Sequence, residues 1–100
     1  MDQVSRYGKF TALPGKGERV AELLVGAADE LGANPGCLLY LVNRQADAPD
    51  TVWVTELWRS RAELDEVLVR LRESSAVAEV MPLVDKAEMI ELDLVGGKGI

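Results

Sequence analysis

Segments that alternate apolar and polar residues every second position give way, in a fixed order, to segments that repeat every three to four. The order is strand, helix, strand, strand, helix, strand, and few folds accept it. Val4 to Ala12 alternates, with Val4, Phe10 and Ala12 on one parity and Ser5, Tyr7, Lys9 and Thr11 on the other. Pro14-Gly15-Lys16-Gly17 breaks that strand, and Val20, Leu23, Leu24, Ala27, Ala28 and Leu31 then mark one buried helical face. Gly32 is expected to stop the helix in the left-handed conformation, and Asn34-Pro35-Gly36 to turn the chain. Cys37 to Gln45 reads as the second strand. Its first half is apolar on both parities, so both faces of the sheet are expected to be covered there. Ala46 to Asp50 reads as a polar turn, and Thr51 to Arg59 as a third strand rich in β-branched and aromatic residues.

Ser60-Arg61-Ala62-Glu63 has the spacing of a capping box, in which the serine oxygen accepts the Glu63 amide and the glutamate reaches back. Leu64, Val67, Leu68 and Leu71 form the apolar stripe behind it, with Glu66 and Arg70 placed to pair one turn apart. Ser74-Ser75 interrupts. A short helix follows with Val77, Val80, Met81 and Val84 expected inward, ended or distorted by Pro82. Lys86 to Val95 is the last expected strand, with Ile90, Leu92 and Leu94 opposite Glu91 and Asp93. The whole chain reads as one α+β domain with its core in residues 4–95 and a flexible glycine-rich tail in 96–100. The element order is the split β-α-β, or ferredoxin-like, plan: a four-stranded antiparallel sheet with helices on one face.

Such a sheet has a second face. If Val52, Val54, Glu56 and Trp58 point one way, Trp53, Thr55 and Leu57 point the other. Leaving Trp53 and one parity of Leu38 to Leu41 in water exposes an apolar patch that calls for a partner, and a two-fold homodimer packed sheet against sheet supplies one.

Composition removes several function classes. With 17 acidic against 11 basic residues the net charge is −6, which repels phosphate backbones and anionic membrane surfaces. No nucleic-acid or membrane partner is therefore expected. No apolar run approaches the roughly 20 residues of a membrane span. Met1 to Arg6 lacks the apolar stretch of a signal peptide. The single cysteine, Cys37, forms no intrachain disulfide and reads as a small core residue, so a cytoplasmic setting is expected. The chain has no histidine, which excludes a histidine-ligated metal or haem, a Ser-His-Asp triad and any imidazole base. Gly15-Lys16-Gly17 fits neither phosphate-binding pattern. A dinucleotide fingerprint needs a glycine where Val20 stands, and a P-loop needs Ser or Thr where Gly17 stands.

Glu56-Leu57-Trp58-Arg59-Ser60 runs from a strand end into a capped helix. Together with Pro14-Gly15 before the first helix and Pro35-Gly36-Cys37-Leu38 before the second strand, it resembles the antibiotic biosynthesis monooxygenase family. The resemblance extends from about Val4 to Val95 and implies a dimeric α/β barrel. Haem-degrading relatives use a histidine as iron ligand. The corresponding stretch here, Leu64 to Leu68 through Val77-Ala78, has none, so that branch is set aside. The actinorhodin-type branch places an asparagine four residues before the tryptophan, where this chain has Val54, so only Trp58 carries over from that site.

The family's reaction, as the resemblance implies it, needs no metal, flavin or other cofactor. A phenolic substrate such as a hydroquinone or anthrone is ionised, and its electron-rich carbon reacts with O2. The protein supplies a dry pocket and donors for the oxyanion. The expected catalytic residues are Trp58 as an N–H donor or a core aromatic, Asn43 as an oxyanion donor, and Glu56 as a buried base or the partner of an arginine such as Arg6 or Arg44. Tyr40, Arg44 and Tyr7 are the expected substrate-binding residues. Tyr40 and Asn43 lie on opposite parities, so at most one of them faces the helix side. Two other readings stay open: a polyketide cyclase or isomerase with Glu56 as proton shuttle, and a non-catalytic dimeric ligand-binding module.

Overall fold

The computed structural model describes residues 3–99. Its elements are β1 (Val4–Ala12), α1 (Gly17–Gly32), β2 (Cys37–Gln45), β3 (Ala48–Trp58), α2 (Arg61–Arg72), α3 (Ser75–Val80), a 3₁₀ turn (Met81–Leu83) and β4 (Val84–Asp93). The strands form one antiparallel sheet in the order β2-β3-β1-β4, with the helices on one face, the ferredoxin-like arrangement.

Register assigns every strand residue to a face. On the helix side, Arg6 pairs with Glu56, Gly8 with Val54 and Phe10 with Val52, while Tyr40 lies beside Glu56 and Met89 beside Gly8. Two apolar clusters fill the space beneath the helices. One gathers Ala12, Val20, Leu24, Val52, Val54 and Val80, and the other Leu31, Trp58, Leu64 and Val67. Of the predicted α1 stripe, Val20, Leu24, Ala27 and Leu31 are buried, Leu23 packs at the margin, and Ala28 is only half-buried and joins neither cluster.

Several local expectations are corrected. Gly32 is not left-handed: α1 runs through it, and Ala33 at φ −71° caps the helix. The turn is made by Asn34, whose Oδ1 accepts from the Gly36 N–H at 2.8 Å. The β2–β3 connection is shorter than expected, with Gln45 pairing to Ala48 so that Pro49 and Asp50 belong to β3. The β1 ladder ends at Thr51, so the N–H that Pro49 lacks is not needed on that side. Asp50 instead receives the Gly15 and Gly17 N–H groups, each at 2.9 Å, fastening the hairpin to the first turn of α1. Gly17 must be glycine there, because a Cβ would run into Pro49 and Asp50.

Ser60 caps α2 by accepting from the Glu63 N–H at 3.3 Å. The glutamate returns to the Ser60 hydroxyl at 2.9 Å and holds Arg59, rather than reaching the Ser60 amide. Glu66 and Arg70 pair at 2.7 Å, as their spacing predicts. Pro82 sits in the 3₁₀ turn that follows α3. Of the four residues expected inward there, Val80 is buried, Val77 is half-buried, Met81 is exposed and Val84 opens β4. That strand ends at Asp93, so Leu94 lies beyond it. Residues 94–99 follow without regular structure, and Ile100 of the expected tail lies outside the described residues.

Candidate active site

Between the sheet and the helices lies a cavity of about 140 Å³. Its helical wall is apolar throughout, from Leu24, Ala27 and Leu31 of α1 to Leu71 of α2 and Val77 and Val80 of α3. Met89 and Phe10 close the strand side. Only Arg6, Tyr40 and Glu56 bring ionisable groups to it, one from each of β1, β2 and β3.

Those three meet because even-numbered positions of all three strands face the helices. Arg6 and Glu56 are directly opposed across the β1–β3 ladder and are only 8% and 5% exposed. Arg6 Nη1 lies 3.7 Å from Glu56 Oε1. Trp58, completely buried two residues further along β3, donates its indole N–H to the same oxygen at 2.9 Å. Both contacts fall on Oε1, and the second carboxylate oxygen carries neither. Arg6 Nε is buried with no hydrogen-bond partner among the described residues.

Burial sets the electrostatics. It raises the Glu56 pKa above the usual carboxylate value, and the Trp58 N–H and the Arg6 charge only partly oppose this. Burial and the nearby Glu56 carboxylate push the Tyr40 phenol far up, so it stays protonated. The same two causes raise the Cys37 thiol. The site is thus a carboxylate with raised proton affinity, beside a guanidinium with an unused Nε–H, at the floor of a cavity with an apolar helical wall.

Of the residues expected to act, Glu56, Trp58 and Tyr40 are brought together. Trp58 lies behind Glu56, with its N–H already engaged, and does not face the cavity. Asn43, Arg44 and Tyr7 stand apart, which corrects their expected placement. Asn43 pairs with Trp53 on the opposite face and is exposed. Arg44 sits near the β2–β3 turn, exposed, and donates to the Pro49 carbonyl at 3.1 Å. Tyr7 is odd-numbered and points away from the helices, opposite Ile90. Arg6, which the sequence offered only as a partner for Glu56, proves to line the cavity itself. Its shared parity with Val4, Phe10 and Ala12 was the signal. A larger groove of about 500 Å³ runs between the end of α1 and α2. Of its three acids, Glu63 and Glu66 are paired with Arg59 and Arg70, and Glu30 is the third.

The sequence model of antibiotic biosynthesis monooxygenases matches residues 4–68, most of the chain. The chain belongs to the antibiotic biosynthesis monooxygenase family. Among solved structures, a Chloroflexus aurantiacus J-10-fl protein assigned to that family is 33% identical and superposes with a TM-score of 0.85 over 99% of both chains. A mutant of SnoaB, a cofactor-independent oxygenase from Streptomyces nogalater, gives a TM-score of 0.85 over 97% of both chains at 14% identity. A Deinococcus radiodurans protein assigned to the same family gives 0.83 over 97% of both chains at 23% identity. No curated protein sequence matches significantly. The family's fold is therefore present in full. No helix among the described residues is long and apolar enough to cross a membrane.

Proposed function

We propose that this family member is a cofactor-independent monooxygenase of small phenolic compounds, with Glu56 as the base that ionises the substrate. The observation that carries the reading is the buried Arg6–Glu56 pair at the floor of an apolar cavity. A buried carboxylate beside a cation is costly to maintain and adds little stability over an apolar pair. Such groups concentrate where proton transfer is needed.

Size favours one class of phenol. A cavity of about 140 Å³ is close to the ~150 Å³ that accommodates a benzene ring. A single-ring hydroquinone fits it better than a tricyclic anthrone. Glu56 removes a phenolic proton, and the electron-rich ring carbon of the phenolate reacts with O2. One oxygen atom stays on the ring as the quinol becomes a hydroxyquinone, and the other leaves as water. Trp58 acts as a positioning residue, holding Oε1 so that the carboxylate keeps its orientation.

The functional unit in this reading is a homodimer formed through the open face of the sheet. Across that face Leu41, Thr55, Tyr7 and Ile90 stand in one row, and Leu57, Ser5 and Leu92 in the next. Leu41 is 50% and Ile90 56% exposed in the single chain. Trp53 stands on the same face, half-buried beside these rows. Its N–H donates to Gln45 at 2.9 Å, and Lys9 lies over its ring at 5.5 Å.

The test is O2 consumption with a panel of substituted hydroquinones, on wild type and Glu56→Gln. Wild type is expected to consume one O2 per quinol, and the variant to lose about 10²- to 10⁴-fold in kcat. Substrate conversion without O2 uptake assigns the chain to the cyclase or isomerase class instead.

A further inference from the structure

We propose that Arg6 is the oxyanion-binding residue of this site, and that a phenol enters by exchanging partners. Its proton passes to Glu56, and the phenolate oxygen takes the place of Glu56 against Arg6. This rests on the cavity being a phenol site and adds to that reading both an anion-binding residue and the order of charges.

Arg6 is under-used as it stands. A guanidinium has five N–H donors, and charge-assisted bonds to carboxylates usually measure about 2.7–2.9 Å. Here Nε has no partner among the described residues although it is buried, and the Glu56 contact is 3.7 Å long. The same Oε1 is already held by the Trp58 N–H at 2.9 Å. The other carboxylate in register with Arg6 is Glu91 on β4, and it is drawn to Arg61 at 2.8 Å. Neither neighbouring acid therefore satisfies Arg6, and the helical wall offers it only apolar groups.

Charge conservation then fixes what can bind. An anion brought in from water adds to an existing plus–minus pair and leaves an uncompensated negative charge in an apolar chamber. A neutral phenol that ionises inside leaves the total unchanged. Its O–H bond breaks, a carboxyl O–H bond forms on Glu56, and the guanidinium remains paired throughout. No proton is exchanged with solvent. The other titratable groups around the exchange are Tyr40 and Cys37 on β2 and the Arg61-bound Glu91 on β4. Both β2 groups hold their protons, because burial raises them.

The probe is 4-nitrophenol, a single ring whose phenolate is yellow and whose neutral form is not, added without O2 turnover at a pH below its own pKa. Bound to wild type it is expected to show the phenolate band, with an affinity independent of pH while Glu56 is ionised. Glu56→Gln leaves Arg6 in place but sends the proton to solvent, so the yellow complex is expected to tighten about tenfold per pH unit. Arg6→Gln is expected to lose the band and roughly 10- to 100-fold in affinity, with partial recovery in Arg6→Lys. A merely structural pair does not produce the new pH slope in Glu56→Gln. A dye that binds wild type in its neutral form, a yellow band that survives Arg6→Gln, or a flat profile in Glu56→Gln overturns the proposal. If Arg6→Gln does not fold, the Glu56→Gln slope and Arg6→Lys decide it. Turnover is read separately. Arg6-dependent phenolate binding without quinol oxidation removes only the oxygenase reading, and quinol oxidation with neutral dye binding removes only this one.

Discussion

The indole N–H of Trp58 meets Glu56 Oε1 at 2.9 Å along one face of β3, and that bond favours the ionised carboxylate. Removing the donor with Trp58→Phe is expected to raise the Glu56 pKa further. Turnover then falls at neutral pH and recovers toward alkaline pH, because the base acts only when ionised. The stranded buried acceptor also lowers stability by roughly 1–3 kcal/mol. A pH–rate profile and urea melts check both parts, and an unchanged profile removes Trp58 from the mechanism.

Glu56 also leaves a mark on stability. Its folded pKa is raised, so the native state binds its proton more tightly than the unfolded chain does. That contribution is full below the ordinary carboxylate pKa and is lost as pH rises through the folded value. Asp50, Glu63 and Glu91 have lowered pKa values and titrate with the opposite sign, losing their contribution as pH falls. Comparison with Glu56→Gln isolates the one group. The difference in unfolding free energy between wild type and variant is expected to move in favour of wild type from pH 7 to pH 5. Movement the other way shows that Arg6 holds the carboxylate ionised.

Gly8 lies close beneath two of the side chains that line the cavity. A Cβ built there stands 2.6 Å from Met89 Sδ and 3.0 Å from Phe10 Cε2, and both side chains line the chamber. Gly8→Ala is expected to displace the flexible methionine at a cost of about 1–3 kcal/mol. It is also expected to raise KM for ring-substituted quinols more than for the parent quinol. Equal effects on all substrates place Met89 outside the binding volume.

The open face of the sheet makes its own prediction. Ile90→Lys together with Leu41→Lys inserts charge into the centre of the exposed apolar rows and is expected to give a folded monomer by analytical ultracentrifugation. Wild-type protein that already sediments as a monomer at micromolar concentration removes the dimer from the reading.

Where local chemistry dominates, the sequence is a reliable guide. β1 and β2 have the predicted bounds because turn-forming residues flank both strands. The Ser60 cap and the Glu66–Arg70 pair follow from spacing alone. Gly32 misled because the signal for a left-handed stop is a preference, and Asn34 supplies the turn by a side-chain bond that composition does not reveal. In the site, parity alone groups Glu56 with Trp58, but cross-strand register is needed to set Arg6 against Glu56 and Asn43 on the other face. Asn43 and Tyr7 were attractive as hydrogen-bonding groups. Only the β2–β3 and β1–β4 ladders show that they look away from the helices.

The chamber is unevenly built. Its floor is three strands locked by two ladders, whereas one wall is the six-residue α3, which buries only Val80 and runs straight into the Pro82 turn. A helix that short does not persist without its packing, since isolated helices need about 12–15 residues. Opening is therefore cheapest at this wall, while the paired strands beneath keep their shape.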